Sequence, residues 1–218
     1  MDPKFWLERW RLNQIGFHRS DYNPALLEHW PKLALAGAGR VFVPLCGKSR
    51  DMEWLARNGH EVVGIELSSL AVEAYFEEVR EVVHLSDADG LVRHEGEVTT
   101  IYQGDFFDLT APHLTGVVAC YDRGALVALP QDMRARYPDH LLRVLGDEAQ
   151  ILLLTVEYDQ ALVAGPPHAV SPEEVRALFG DRCDIEALGS TLDRSPPHFQ
   201  AQGVETITQA AYRMVKRR

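Results

Sequence analysis

The sequence contains few cysteines, and those that it has form no recognised pattern. Cys46, Cys120 and Cys183 are the three cysteines in 218 residues, widely spaced and with no C-x-x-C pair. Neither a disulfide framework nor a cysteine zinc site is therefore indicated. None of the nine histidines stands at a metal-ligand spacing either, so we expect no metal ion in this protein.

Long apolar runs are also missing. No stretch approaches the ~20 apolar residues that a membrane-spanning helix requires. The first ten residues, MDPKFWLERW, are charged and lack the apolar core of a signal peptide. We therefore expect a cytoplasmic protein that does not act at a membrane.

Positive charge is in deficit. The chain has 22 Lys and Arg residues against 32 Asp and Glu residues, for a formal net charge of -10. An acidic surface repels phosphate backbones, so we expect no nucleic-acid partner. The single basic cluster, Lys216–Arg218, is typical of a solvated tail.

Several catalytic signatures are absent as well. The sequence contains no H-E-x-x-H and no G-x-S-x-G, which argues against a zinc metalloprotease and an α/β-hydrolase. The G-K-S at residues 47–49 is not a Walker loop, because Phe42 stands where the first glycine of that motif belongs. A nucleoside-triphosphate site of that type is therefore not indicated.

The most informative segment of the chain is residues 41–66, VFVPLCGKSRDMEWLARNGHEVVGIE. Val41–Val43 and Val62–Ile65 are short apolar runs typical of buried parallel strands. Between them, Ser49 is a good N-cap and is followed by apolar residues at helical spacing. The pattern predicts a strand, a tight loop, a helix and a second strand.

Two residues in this segment suggest what the unit binds. Gly47 lies in the first loop, and Glu66 ends the second strand 19 positions later. In a nucleotide-binding βαβ unit such an acid accepts hydrogen bonds from a ribose diol. The loop lacks the glycines of G-x-G-x-x-G, which seat a pyrophosphate, so a nucleoside without phosphates is favoured over a nicotinamide cofactor. S-adenosylmethionine is the common nucleoside ligand without phosphates. Alternatively, Glu66 is only a solvated residue at the end of a strand.

Aromatic residues are concentrated near the start of the chain. Trp6 and Trp10 are four positions apart and share one face of a predicted helix, and Phe17 follows in a short loop. The pattern alone leaves two interpretations open. The aromatics either pack a small helix onto the body of the protein or form a lid that covers a planar ligand and excludes water.

Candidate ligand-binding residues also follow two later strands. Asp105 and Phe106 come after the third predicted strand, where an acid can reach an adenine amino group or cap a turn. Arg123 leaves the end of the fourth, where it can hold an anion or pair with Asp122. Ligands of open α/β sheets bind at these carboxyl ends.

Strand and helix patterns alternate along the chain and predict one doubly wound α/β domain that covers all 218 residues. We predict a seven-stranded, mostly parallel sheet that ends in an antiparallel hairpin from residues 183–192 and 204–215. Residues 82–97 are polar and predict an irregular insertion, with room for a small hairpin. A predicted helix over residues 133–145 contains Pro138, which should kink it or mark its true start.

Four motifs then occur in a recognisable order. F-x-P-L-C-G-K at residues 42–48, G-H-x-V-V-G-I-E at 59–66, D-R-G-A-L-V-A at 122–128 and G-P-P-H at 165–168 resemble the thiopurine S-methyltransferase family. An N-terminal W-x-x-x-W followed by F-H fits the same family. The likeness covers nearly the whole chain, and P-L-C-G-K is uncommon in other methyltransferases.

The resemblance implies a Rossmann-like class I S-adenosylmethionine-dependent methyltransferase, a monomer, with residues 1–36 as a helical lid and a small-molecule thiol as substrate. Transferred residue by residue, it implies contacts to S-adenosylmethionine from Trp6, Trp10, Leu45, Glu66, Asp105, Phe106 and Arg123. It also places Phe17 against the substrate ring. Arg123 would in addition position the substrate thiolate.

The expected reaction is in-line attack by an aromatic or heterocyclic thiolate, such as a thiopurine, on the cofactor methyl. An ordinary thiol has a pKa of ~8.5, and heteroaryl thiols are more acidic, so no strong general base is required. A thiolate and a sulfonium neutralise each other as they react, so a dry pocket with Trp10 and Phe17 favours the transition state. Arg123 is then better suited to bind the anionic edge of the substrate ring, or the cofactor, than to hold the thiolate sulfur tightly.

The sequence alone leaves other functions open. The sequence does not separate thiopurine methylation, a xenobiotic activity, from methylation of simple thiols or of selenium and tellurium oxyanions, which would confer tellurite resistance. A nicotinamide-dependent oxidoreductase is disfavoured by the missing glycines. A non-catalytic binding module of the same fold is opposed by the aromatic lid.

Overall fold

One mixed β-sheet organises the fold of the computed structural model, which describes residues 3–33 and 35–217. Within those residues the sheet has nine strands. They are β1 (Arg40–Val43), β2 (Glu61–Glu66), β3 (His84–Ala88), β4 (Leu91–Glu95), β5 (Thr99–Gln103), β6 (Val117–Arg123), β7 (Gln150–Glu157), β8 (Cys183–Arg194) and β9 (Thr206–Lys216). Their order across the sheet is β3-β4-β5-β2-β1-β6-β7-β9-β8.

The five central strands, from β5 to β7, are parallel, which confirms the predicted doubly wound α/β fold. The chain passes from β1 to β2 and β5 on one side and later returns to β6 on the other. The direction of winding therefore reverses between β1 and β6. Ligands of such sheets bind at the carboxyl ends of the strands beside this reversal, so the topology prepares a site there.

Helices cover both faces of the sheet. They are α1 (Pro3–Arg11), α2 (Pro24–His29), α3 (Arg50–Arg57), α4 (Ser69–Val79), α5 (Gln131–Arg134), α6 (Tyr137–Val144), α7 (Pro172–Phe179) and α8 (Pro197–Gln200). Buried side chains of α2, α3 and α4 pack on one face with Val41 and Val43, and those of α6 and α7 pack on the other with Phe42. Burial on both faces explains why β1 is an unbroken apolar run.

The prediction of seven strands is wrong by two. The polar segment 82–97 forms β3 and β4, an antiparallel hairpin that pairs with β5 and extends the sheet. Asp89 and Gly90 have positive φ angles of 53° and 92° at its two-residue turn, as tight hairpins require. The predicted C-terminal antiparallel hairpin is confirmed as β8 and β9.

Helix boundaries follow capping residues. The Ser49 side chain accepts a hydrogen bond from the Asp51 backbone N–H at the start of α3, as predicted. The predicted helix over 133–145 is instead two helices, α5 and α6, and Pro138 stands in the first turn of α6. Pro138 therefore marks the true start of the second helix, because proline fits the first turn and disrupts later ones.

The basic cluster at the end of the chain is not a free tail. Lys216 ends β9, and its ammonium group donates to the Leu142 carbonyl at 3.1 Å and pairs with Asp147. Arg217 pairs with Asp184, and Arg218 lies outside the described residues. No helix of the described residues has the length and apolar character needed to cross a membrane.

Candidate active site

A cavity of about 690 Å³ opens at the carboxyl ends of the parallel strands. Its wall includes residues that follow β1, β2, β5 and β6, and the N-terminal segment closes one side. This one cavity is lined by all of the predicted site residues: Trp6, Trp10, Phe17, Leu45, Glu66, Asp105, Phe106 and Arg123. Elements that are far apart in the chain thus form a single site.

The loop after β1 has an unusual backbone. Leu45 has a φ of 47° and Gly47 a φ of 52°; a positive φ is uncommon for a non-glycine residue and often marks a functional loop. The Cys46 N–H donates to the Ile65 carbonyl at 3.0 Å, which ties the loop to β2. A Cβ atom added to Gly47 would lie 3.2 Å from Cζ2 of Trp10, so the indole ring packs directly on this glycine.

Glu66 is held in place by the same loop. Its side chain is buried, with 7% of the residue exposed, and Oε2 accepts a hydrogen bond from the Gly47 N–H at 2.8 Å. The other oxygen, Oε1, accepts from the Ser68 N–H at 2.8 Å. Burial raises the pKa of the Glu66 carboxyl, and these N–H donors oppose that shift. The alternative that Glu66 is a solvated strand end is therefore wrong.

The N-terminal aromatics form one cluster on the rim of the cavity. The Phe17 ring meets Trp6 edge-on at a centroid distance of 5.5 Å and Trp10 at 5.8 Å. α1 contributes no buried residue, so it does not pack on the body as a core helix would. Of the lid segment predicted at 1–36, residues 1, 2 and 34 lie outside the described residues.

The end of β5 supplies an acid and an aromatic ring. Asp105 accepts a hydrogen bond from the Phe107 N–H at 2.9 Å, which is the turn-capping role that the sequence left open. Phe106 is buried, and its ring stacks against Tyr137 at 4.9 Å and Phe42 at 6.5 Å. The packing fixes this ring as an apolar wall of the cavity.

Arg123, at the end of β6, does not pair with Asp122. Asp122 is fully buried, and its carboxylate accepts hydrogen bonds from the N–H groups of Ala125 and Leu126 at 3.1 and 3.2 Å and from the Tyr137 hydroxyl at 2.8 Å. Burial raises the pKa of Asp122 to about 6, although these hydrogen bonds favour the charged form and lower the pKa. Arg123 makes no side-chain hydrogen bond or ion pair within the described residues. Its guanidinium charge is thus left for a ligand.

Asp51 is a further buried acid that the sequence did not single out. Its Oδ2 accepts from the hydroxyl of Tyr121, which lines the cavity, at 3.0 Å. Its Oδ1 accepts from the N–H of Asn23, the N-cap of α2, at 2.8 Å. One carboxylate therefore connects the end of the N-terminal segment to the floor of the cavity.

A further wall of the cavity is formed by residues that were not among the predicted site residues. It is formed by the proline loop Val163–Pro167 and by residues in and around α8, among them Pro196, His198 and Phe199. The Tyr158 hydroxyl donates to the Pro167 carbonyl at 2.6 Å and steadies the proline loop. The proline loop reaches the cavity because it follows β7, at the carboxyl end of a parallel strand, whereas α8 lies in the connection from β8 to β9.

Other chemistry finds little support in the part of the chain that the structure describes. It contains no group of three or more His, Cys, Asp or Glu side chains that could hold a metal ion. Lys48, the lysine of the G-K-S sequence, pairs with Glu78 at 2.6 Å. Burial raises the pKa of the Cys46 thiol well above its usual value, so this cysteine is a poor nucleophile.

Comparison with known proteins gives one family over the whole chain. The family model described as "Thiopurine S-methyltransferase (TPMT)" matches residues 1–218. A thiopurine S-methyltransferase of Nitrosospira multiformis is 45% identical over 226 residues, covering 100% of this chain and 99% of its own. One from Pseudomonas fluorescens is 44% identical over 218 residues, with 100% of both chains covered.

Solved structures agree at the level of the fold. An S-adenosylmethionine-dependent methyltransferase from Anabaena variabilis superposes with a TM-score of 0.68 at 13% identity, covering 100% of this chain and 96% of its own. A Burkholderia thailandensis 1,6-didemethyltoxoflavin-N1-methyltransferase, solved with its substrate and S-adenosylhomocysteine, gives 0.63 at 14% identity over 98% and 87% of the chains. The chain thus has the fold of these methyltransferases.

Proposed function

Because the chain belongs to the thiopurine S-methyltransferase family, we propose that it methylates the sulfur of aromatic and heterocyclic thiols, such as thiopurines. S-adenosylmethionine supplies the methyl group, which it carries on a sulfonium. The observation that carries the proposal is a single cavity that joins a buried acid at the end of β2, an aromatic lid and an unpaired arginine, namely Glu66, Trp10 and Arg123.

The residues at the ends of β1, β2 and β5 suit the cofactor. Each oxygen of the Glu66 carboxylate accepts one backbone N–H and keeps a lone pair for a ribose hydroxyl. Phe106 offers a fixed apolar surface to the adenine ring, and Asp105 lies beside it. Leu45 would pack against the cofactor at the first loop, with Trp6 and Trp10 above it.

The same residues argue against a phosphate-bearing cofactor. The loop after β1 contains a single glycine, and its lysine is paired with Glu78. A pyrophosphate needs several free N–H groups at a helix N-terminus. Here the Gly47 N–H already donates to Glu66. Together with family membership, this favours methyl transfer over the nicotinamide-dependent alternative.

Phe17 and Arg123 would serve the methyl acceptor. Phe17 packs edge-on against both tryptophans of the lid, which leaves its ring on the rim, 40% exposed. Arg123 can bind the anionic edge of a thiol-bearing ring and so increase the fraction of thiolate near neutral pH. No strong base is needed for an acidic heteroaryl thiol.

Water exclusion and positioning of the two reactants would supply the rate acceleration. With the cofactor bound, the thiolate would take its methyl group, and the electron pair of the broken carbon–sulfur bond would stay on the departing sulfur. Charge disappears as this happens, so an aromatic lid that keeps the cavity dry favours the transition state. Holding two reactants in line is worth at most ~7–11 kcal/mol.

A panel of acceptors tests the proposal. The purified protein is incubated with S-adenosylmethionine and, separately, a thiopurine, a simple aromatic thiol, selenite or tellurite, and products are identified by mass spectrometry. We expect methylthio products from the first two. Methylation of selenite or tellurite alone would replace the proposed acceptor with a chalcogen oxyanion. Failure to bind S-adenosylhomocysteine by calorimetry would contradict the assignment of the cofactor.

A further inference from the structure

The charge of the cavity is opposite to that of the whole protein. The chain has 22 basic and 32 acidic residues, yet the cavity is lined by four basic side chains and two acidic ones. The basic ones are Arg9, Arg19, Lys48 and Arg123, and the acidic ones are Glu66 and Asp105. An acidic protein that collects arginines around one cavity favours anionic ligands there.

The two acids do not neutralise this excess, because both are already engaged. Glu66 accepts from two backbone N–H groups, and Asp105 accepts from that of Phe107. Among the basic side chains, Lys48 pairs with Glu78, and the Arg9 guanidinium lies 4.8 Å above the ring of Phe5.

Arg19 and Arg123 are different. Within residues 3–33 and 35–217, neither makes a side-chain hydrogen bond or an ion pair. Arg19 belongs to the segment that follows the lid helix, and Arg123 ends β6, so they approach the cavity from two elements. Two unpaired guanidinium groups that line the same cavity can each bind a carboxylate there.

His18, next to Arg19 in the chain, also has positively charged surroundings. Burial lowers the pKa of His18, and the charges of Lys48, Arg123 and Arg50 lower it further, against the charge of Glu78. Three cations thus act on one imidazole beside the cavity. These basic groups agree with the excess of basic residues on the cavity.

The cofactor does not supply the missing negative charge. Its sulfonium and ammonium groups are positive and only its carboxylate is negative, so it adds one net positive charge. A thiolate offsets that single charge and pairs with Arg123, which leaves Arg19 without a partner. An acceptor with a second anionic group would balance the site.

We infer that the acceptor carries a carboxylate in addition to its thiolate and that Arg19, together with Arg123, selects it. The inference rests on the proposed thiol methylation and narrows its substrate class to anionic aromatic thiols. Arg19 is then a specificity-determining residue, because its charge is used in binding the acceptor and not in methyl transfer itself.

Two thiols that differ only in charge test this inference. 3-Mercaptobenzoate and 3-mercaptobenzamide are compared at saturating S-adenosylmethionine and at a pH where both thiols are ionised. For the unmodified protein we expect kcat/KM to be about tenfold higher for the carboxylate, as one charge-assisted hydrogen bond would give. In Arg19→Gln the ratio should fall severalfold toward one, while kcat/KM for the amide changes less than about twofold.

Arg11→Gln is the matched control. Arg11 ends the lid helix that precedes Arg19 and is exposed, but it pairs with Glu8 and does not line the cavity. The control should keep the full preference for the carboxylate.

Three outcomes would overturn the inference. Equal kcat/KM for the two thiols in the unmodified protein would mean that no second anion is recognised. A loss of S-adenosylhomocysteine affinity in Arg19→Gln, with the preference unchanged, would assign the arginine to the cofactor carboxylate. Methylation of neither thiol, although S-adenosylhomocysteine binds, would contradict both this inference and the proposed function. Methylation of the amide supports the proposed function whether or not the carboxylate is preferred.

Discussion

The carboxylate of Glu66 accepts a hydrogen bond from the backbone N–H of Gly47 at 2.8 Å. Gly47 follows β1 and Glu66 ends β2 in the βαβ unit of β1, α3 and β2. Their spacing of 19 positions is typical of a nucleoside-binding unit. The hydrogen bond shows that the acid also shapes the loop on which a cofactor would rest. Glu66 therefore links the conformation of the first loop to the proposed binding of ribose.

Replacing Glu66 tests this link. Glu66→Ala should weaken binding of S-adenosylhomocysteine by ~1–3 kcal/mol, because charge-assisted hydrogen bonds to the ribose and to the loop are lost. Isothermal titration calorimetry measures the change. Glu61→Ala, at the exposed start of the same strand, is the control and should bind normally. An unchanged dissociation constant in Glu66→Ala would remove this residue from the site.

Gly47 provides a second test of the first loop. Gly47→Ala puts a Cβ at a φ of 52° and 3.2 Å from the Trp10 ring, so it should cost ~1–2 kcal/mol of stability and also displace the indole. Gly90→Ala, at a φ of 92° with open space around it, has the backbone strain without the aromatic contact. Urea unfolding and calorimetry should show instability in both variants but weaker S-adenosylhomocysteine binding only in Gly47→Ala. Equal binding by the two variants would contradict a role for Trp10 above the cofactor.

The role of Arg123 predicts a particular pH dependence. Arg123→Ala should lower kcat/KM for a heteroaryl thiol more strongly near neutral pH than at high pH, because the arginine raises the thiolate fraction only where the thiol is incompletely ionised. Pre-formed thiolate at high pH should restore part of the activity. A loss of the same size at every pH would indicate that Arg123 acts only through packing or cofactor binding.

Asp122 predicts a pH dependence of stability. Its pKa is raised from 3.8 to about 6 in the folded protein, so the native state binds more protons than the unfolded state between these values. Its contribution to stability is therefore full below pH 3.8 and lost as pH rises through about 6, and a shift of this size is worth ~3 kcal/mol. Asp122→Asn, which keeps an acceptor for the Ala125 and Leu126 N–H groups, should lack this dependence.

Urea unfolding of the two proteins across that pH range measures the effect. The free energy of unfolding of the unmodified protein, relative to Asp122→Asn, should rise as pH falls. Parallel curves for the two proteins would show that Asp122 ionises in the fold as it does in the unfolded chain.

Local patterns predicted the centre of the fold and much of the site. The strand–loop–helix–strand unit around Gly47 and the acid at Glu66 are specified by residues close together in sequence. β3 and β4 were missed as sheet strands because edge strands are half solvated, so their polar residues show no apolar alternation. The pairing with β5 that stabilises them lies outside the local pattern.

Long-range contacts determine the side-chain positions that local sequence patterns could not predict. The sequence allowed Arg123 to pair with its neighbour Asp122, but Tyr137 and two N–H groups take that carboxylate. His198 and the rest of the wall near α8 reach the cavity only because β9 returns beside β7. Such positions depend on topology and carry no local signal.

Isotope labelling shows most directly whether a methyl group passes from S-adenosylmethionine to a thiol sulfur. The protein is incubated with a thiopurine and S-adenosylmethionine that carries a labelled methyl group, and the product is analysed by mass spectrometry and NMR. We expect a product with the intact labelled methyl group on sulfur, in amounts equal to the S-adenosylhomocysteine formed. Label on a ring nitrogen, or no labelled product although S-adenosylhomocysteine binds, would contradict it.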